Sequence, residues 1–331
     1  MENKAIMVHQ VSRPQGWPAT EHFAFVEVPI SWPEAGEALV ENIYLSVDPY
    51  MRSSMDAGWD LHAPLDGRAI GRVVESRIPH LVRGDLVLHR KGWRTHALVR
   101  AEDVQVLPQV PAVPSSAYLG ILGGTGLAAY VALTRIAHLQ TGESVFISAA
   151  AGGVGSAAGQ IARLLGASRV IGSAGSAAKV THLTKDLGFD AAFDYHDGPV
   201  SELLTQVAPQ GIDIYLDNVG GEHLEAAIST LHEHGRVALC GAVAQYNSTE
   251  PPVAPRNLFN VVLKSLRLEG FSVRDYQHVR GELEELLTPH IQSGRIIVDQ
   301  TVIEGFGHIV NAFLGMLHGD NMGKMIVQVT N

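Results

Sequence analysis

The spacing of apolar and polar positions changes part-way along the chain. In the first third, short apolar runs broken by Pro and Gly recur at 38–47, 71–75, 85–88 and 95–99, which is the pattern of strands in a β-rich domain. From Gly142 onward the order becomes strand, helix, strand. Apolar runs at 144–149, 169–173, 191–195, 212–217, 236–240 and 266–271 alternate with helix-periodic stretches at 154–165, 176–187 and 222–231. Short, mainly apolar strands alternating with helical patterns predict a parallel, doubly wound sheet of the Rossmann kind. A further helix is expected over 279–293. Strands at 296–302 and 324–329 suggest that the end of the chain rejoins the first domain.

A length of 331 residues suits two domains. Lys and Arg number 24 against 34 Asp and Glu, a net charge of −10, so the broad basic field that nucleic acid requires is missing and no nucleic-acid partner is expected. Two long uncharged stretches, 108–134 and 144–162, raise the question of a membrane span. Prolines and glycines break the first, and the second is mostly Ala, Gly and Ser, so both read as buried turns and helices. Cys240 is the one cysteine; it can form neither an internal disulfide nor a cysteine zinc cluster, and a reducing compartment fits. Residues 1–10 carry Glu2 and Lys4 and lack the apolar region of a signal peptide, so a cytoplasmic location is expected.

The strongest chemical signal is the run Ala149-Ala150-Ala151-Gly152-Gly153-Val154-Gly155-Ser156, which follows an expected strand and opens an expected helix. In G-x-G-x-x-G spacing the three positions are Ala150, Gly152 and Gly155. The second lets backbone approach a pyrophosphate and the third lets helix and strand pack closely, while the helix start offers N–H groups and a positive dipole end. The next strand ends in Gly172-Ser173-Ala174-Gly175-Ser176, with no acid to hold a ribose 2′-hydroxyl, and Lys179 follows within reach of a 2′-phosphate, so NADP is favoured over NAD. Neither an H-E-x-x-H nor a G-x-S-x-G motif occurs, and His232 and His234 read as surface residues near a helix end. Asp48 with Tyr50, and Asp217 with Asn218, follow expected strands where loops present side chains to a cleft. The hydroxyls of Tyr50, Tyr195 and Tyr246 are candidate donors to a substrate oxygen or a phosphate.

The full length resembles the medium-chain dehydrogenase/reductase superfamily. Within it the chain is similar to the zinc-independent branch of leukotriene B4 dehydrogenase/prostaglandin reductases, 2-alkenal reductases and curcumin reductase-like enzymes. The resemblance rests on Leu45 to Arg52 (LSVDPYMR), Gly126 to Tyr130, Ala149 to Ser156, Asp217-Asn218-Val219-Gly220-Gly221, Cys240-Gly241-Ala242, Tyr246-Asn247, Glu269-Gly270-Phe271 and Asn321-Met322-Gly323-Lys324. It implies an α/β architecture with a GroES-like β-barrel domain from 1–121 and 296–331 and a Rossmann NADP-binding domain over 122–295. It also implies that Gly152, Gly153, Val154, Gly155 and Ser156 hold the pyrophosphate of NADPH, Lys179 and Tyr195 its 2′-phosphate, and Asn218 the adenosine side. Cys240, Gly241, Ala242 and Tyr246, with Phe271, Ser272 and Val273, would line the nicotinamide and its ribose, Asn321 would close the pocket, and Tyr50 and Tyr246 would face substrate.

Zinc-dependent relatives carry a cysteine ligand where this chain reads Ser46-Val47-Asp48, so no metal is expected. Ala128 stands where many relatives have threonine. The implied activity is NADPH-dependent reduction of the carbon-carbon double bond of small α,β-unsaturated ketones or aldehydes, in a homodimer. The alternatives are a quinone or carbonyl oxidoreductase on the same scaffold, or a non-catalytic NADPH-binding sensor.

Overall fold

The computed structural model describes residues 4–329 and divides into two compact units. One runs through Leu119 and takes in Gln300–Asn321 and the segment from Met325; the other is Gly120–Asp299 with Met322–Lys324.

In the second unit six parallel strands lie in the order Ala191–Asp194, Arg169–Ala174, Ser144–Ile147, Ile212–Asp217, Leu231–Leu239, Arg267–Gly270. Counted along the chain this is 3-2-1-4-5-6, the doubly wound order whose strands all end at one edge. The direction of winding reverses between the first and fourth strands, which pair with Val145 opposite Ile214 and Ile147 opposite Leu216. Both faces are covered by helices, so the strands carry apolar side chains on each side. Phe146, Ile171 and Tyr215 are fully buried, and the Phe146 ring stacks on Phe193 and Tyr215 at 5.9 and 5.0 Å. Burying one such side chain contributes about 1.5–3 kcal/mol.

The structure moves some expected boundaries. The strand expected over 236–240 extends back to Leu231, so His232 and His234, exposed as expected and just past the end of the helix Gly221–Thr230, lie on that strand. The strand expected over 296–302 begins only at Gln300. Before it the backbone is bonded elsewhere, for the Ile297 N–H donates to the Gln160 side chain at 2.8 Å. The helices Gly124–Val131, Val200–Val207 and Ile309–His318 were not expected from the sequence.

The first unit is antiparallel. Its long strand Glu37–Ser46 pairs with Ala69–Ser76, with His96–Arg100, and with the terminal strand Lys324–Gln328. Part of its core is an aromatic cluster: Trp93, fully buried, lies 5.6–5.9 Å from the rings of Phe23, Trp59 and Phe313. Among the described residues no helix is long and apolar enough to cross a membrane.

Candidate active site

Ligands of doubly wound sheets bind beyond the carboxyl ends of the strands, at the point where the winding reverses. Here that point lies between the turn after Ile147 and the turn after Asp217. In the first turn Ala149 takes a left-handed φ of 46°, its carbonyl accepts the Gly152 N–H at 3.0 Å, and the helix Gly153–Leu164 begins at once. Two glycines are required by contact. A β-carbon on Gly155 would stand 2.4 Å from the Ala149 oxygen, and one on Gly153 would stand 2.9 Å from the Thr125 methyl carbon. Ala150 is tolerated where the motif has glycine because its neighbour across the sheet, Gly172, has no side chain; a β-carbon there would lie 2.7 Å from that of Ala150.

No side chain caps this helix at Gly152. The helix Ala177–Lys185 beside it differs, since Ser176 Oγ accepts the Lys179 N–H at 3.3 Å. The helix Gly221–Thr230 has no side-chain cap either; Asp217 Oδ1 accepts the N–H groups of Val219 and Gly220, in the loop before it, at 2.9 and 2.7 Å. The helix start at Gly153 therefore keeps its positive dipole end for an anion. The glycine cradle and the open helix start together fit the pyrophosphate of a dinucleotide.

Asn218 is tied to this turn, with its side-chain amide donating to the Ser148 carbonyl at 2.8 Å and its N–H to Ser148 Oγ at 3.0 Å. The N–H groups of Cys240 and Gly241 donate to the Asp217 carbonyl at 2.9 and 3.0 Å, which brings the end of the fifth strand alongside. Burial and the neighbouring Asp217 push the Cys240 thiol up to about 12, so it stays protonated and is no nucleophile at neutral pH. Tyr246 folds back over this turn, its hydroxyl oxygen 3.5 Å from where a β-carbon of Gly241 would lie. Burial, and to a lesser degree Cys240, push its phenol above the ordinary value of 10, while contact with the Ala242 backbone acts the other way.

At the ends of the second and third strands the Tyr195 ring lies against Gly175, where a β-carbon would be 2.9 Å from the tyrosine oxygen. Tyr195 is flanked by His196 at 4.2 Å and, edge-on, by His223 at 5.6 Å. Lys179 sits in the first turn of the adjoining helix Ala177–Lys185. The structure thus gathers Gly152 to Ser156, Asn218, Cys240 to Ala242 and Tyr246 at the reversal point, and Tyr195 and Lys179 at the flanking strand ends. Phe271, Ser272 and Val273 follow the edge strand Arg267–Gly270, two strands beyond Ile212–Asp217.

Tyr50 and Asn321 belong to the antiparallel unit. Tyr50 opens the short helix Tyr50–Ser53 and packs half-buried on the aromatic core, and Asn321 is buried. Two aspartates expected to face a cleft do not. Asp48 is 5% exposed, accepts from Ser46 Oγ at 2.6 Å and lies 3.6 Å from the Arg68 guanidinium. Asp217 is 1% exposed, and burial pushes its carboxyl above the ordinary 3.8 against the hydrogen bonds it accepts. Sequence reasoning missed Ser148 and Tyr215, the partners of Asp217. The available signal was Tyr215-x-Asp217, two polar groups at the carboxyl end of a strand, on the face that Asp213 also shares. A polar cavity of about 350 Å³, lined by Ser144, Arg169, Asp213 and His232, lies at the opposite ends of the strands.

Comparison with known proteins fits this geometry. Residues 7–107 match a family described as N-terminal domain of oxidoreductase, and residues 153–289 one described as zinc-binding dehydrogenase. NADPH-dependent curcumin reductase of Escherichia coli is 37% identical, over 96% of this chain and 95% of its own length. The NADP(+)-dependent 2-alkenal reductase of Nicotiana tabacum is 37% identical, over 92% and 91%. The chain belongs to the zinc-independent medium-chain dehydrogenase/reductases. A solved member of this family, CurA from Vibrio vulnificus in complex with NADPH, superposes with a TM-score of 0.92 at 34% identity, covering 98% of this chain and 99% of that one. Although the second family description names zinc, no group of three or more His, Cys, Asp or Glu among the described residues could hold a metal ion.

Proposed function

We propose that the protein is an NADPH-dependent reductase of the carbon-carbon double bond in small α,β-unsaturated ketones and aldehydes. The observation that carries this reading is the open, glycine-lined helix start at Gly153, in a chain similar over its full length to reductases named for NADPH and for curcumin or alkenals. Gly152 to Ser156 hold the pyrophosphate, Lys179 and Tyr195 the 2′-phosphate, Asn218 the adenosine side, and 240–242 with 271–273 and Asn321 the nicotinamide end. The parallel unit is the cofactor domain, and the antiparallel unit, with Tyr50, is the substrate domain.

When bound, NADPH supplies the hydride for the β-carbon of the substrate. The chain's task is to stabilise the negative charge that then grows on the carbonyl oxygen. Tyr246 donates a hydrogen bond to that oxygen, and its raised pKa keeps the proton in place at neutral pH. Tyr50 orients the substrate from the antiparallel unit.

The protein acts as a cytoplasmic homodimer in this reading. Phe259, Val262 and Leu263, 62–69% exposed on the helix Phe259–Leu263 that leads into the edge strand Arg267–Gly270, supply an apolar face for a second copy. Sedimentation at the mass of one chain would remove the dimer.

NADPH oxidation is measured against an alkenal, an enone, a quinone, a saturated aldehyde and an allylic alcohol, with NADH in parallel. Turnover of the enone and alkenal with NADPH well ahead of NADH is expected. Turnover of the quinone or the saturated aldehyde alone would replace this reading with another oxidoreductase, and tight NADPH binding without turnover would make the protein a sensor.

A further inference from the structure

We propose that Asp217, acting with Tyr215 and Ser148, is a positioning residue that sets the cofactor turns from beneath without touching the cofactor. The inference rests on the NADPH site proposed above. Tyr215 and Asp217 are two residues apart on one strand, so they share a face, and the parallel register places Ser148 beside them from the first strand. All three are at most 1% exposed.

The contacts converge on one oxygen. Asp217 Oδ1 lies 2.7 Å from the Tyr215 hydroxyl, 2.9 Å from the Val219 N, 2.7 Å from the Gly220 N and 3.5 Å from Ser148 Oγ. The Tyr215 and Ser148 hydroxyls are 2.9 Å apart. A phenol has one O–H, and Tyr215 donates it to the carboxylate, so the Ser148 hydroxyl donates to the tyrosine oxygen and leaves Ser148 Oγ to accept the Asn218 N–H. A polarised chain thus runs from Asn218 through Ser148 and Tyr215 to the buried carboxylate.

Two consequences follow for the site. The Asp217 backbone carbonyl holds the N–H groups of Cys240 and Gly241, while Asn218 O accepts from Val243 at 3.0 Å, so the turns after the first, fourth and fifth strands are tied together through Asp217 and Asn218. The carboxylate also occupies the N–H groups before the helix Gly221–Thr230. Those bonds hold the loop between the fourth strand and that helix in place beside the Gly153 turn.

The test uses Tyr215→Phe, Ser148→Ala and the double variant. NADPH affinity is read by fluorescence titration, and KM and kcat are read with an enone, all below the melting temperature. Each single variant is expected to raise the Kd and KM for NADPH by about tenfold, with kcat at saturation within about twofold of wild type. The double variant is expected to lose no more than the worse single one, because both break the same chain. A lowered melting temperature with unchanged KM for NADPH would reduce the cluster to a structural role and overturn the proposal, as would additive losses in the double variant. Wild-type protein that does not bind NADPH would overturn the cofactor reading itself, and the positioning role with it.

Discussion

A β-carbon on Gly155 would stand 2.4 Å from the carbonyl oxygen of Ala149, closer than real side chains approach, and 2.5 Å from the Ala150 Cα. Both obstructing atoms are backbone, so neither can rotate away. Gly155→Ala must push the helix Gly153–Leu164 off the strand it follows and widen the turn between them. The expected result is a melting temperature lowered by several degrees, from about 1–3 kcal/mol of overpacking, together with NADPH binding weakened by at least about tenfold. Thermal melts and fluorescence titration of the same preparation check both; wild-type values in each would show that the turn can open without cost.

Tyr246 is the residue whose loss should separate binding from chemistry. Its hydroxyl lies over Gly241 in the turn after the fifth strand, and Tyr246→Phe removes the oxygen while keeping the ring. Losing one donor to a developing oxyanion costs on the order of 100-fold in rate. We expect kcat to fall by about that factor while the Kd for NADPH changes little. Because burial raises the phenol above 10, the wild-type rate should not fall from ionisation of this group until the pH passes that value. An unchanged kcat in the phenylalanine variant would remove Tyr246 from the mechanism.

The sequence carried the strand rhythm well wherever both faces of a strand are apolar. Ile212–Asp217 was legible to the residue, since Ile212, Ile214, Tyr215 and Leu216 outweigh the partly buried Asp213 and Asn218 ends the run. Segment 296–299 reads as a strand on the same grounds, but its backbone is claimed by partners no local pattern reveals: Gln160 takes the Ile297 N–H and Asp299 O accepts from Lys324. The glycine turn was legible because glycine has a local reason to be there. The Ser148, Tyr215 and Asp217 cluster was not, because its meaning depends on which strand lies beside which.

Lys179 tests the choice between cofactors. It stands one turn into the helix after the second strand, whose end, Ser173-Ala174-Gly175-Ser176, carries no acid for a ribose 2′-hydroxyl. A charge-assisted contact to a 2′-phosphate is worth about 1.5–3 kcal/mol, or roughly 10- to 100-fold in affinity. Lys179→Ala should therefore weaken NADPH binding by a factor in that range, less at high salt, and leave NADH binding unaltered. Titrating both nucleotides at two ionic strengths decides the matter, and equal losses for both would undo the assignment.

His182 makes a pH-dependent contribution to stability. Its Nδ1 lies 2.7 Å from Asp186 on the same helix and its Nε2 3.1 Å from Asp299, the residue at which the chain leaves the parallel unit. Burial opposes the charged imidazole, but the two carboxylates outweigh it and the pKa rises above 6.5. A group whose pKa is raised by folding stabilises the protein fully below its unfolded value, and the contribution disappears as the pH climbs through the folded value. His182→Gln keeps a hydrogen-bonding side chain without the charge. Wild type should therefore melt a few degrees above the variant at pH 5.5, and the gap should close by pH 8.5. Melting curves of both proteins across that range check it, and a gap that stays constant would mean the imidazole holds its partners in the neutral form.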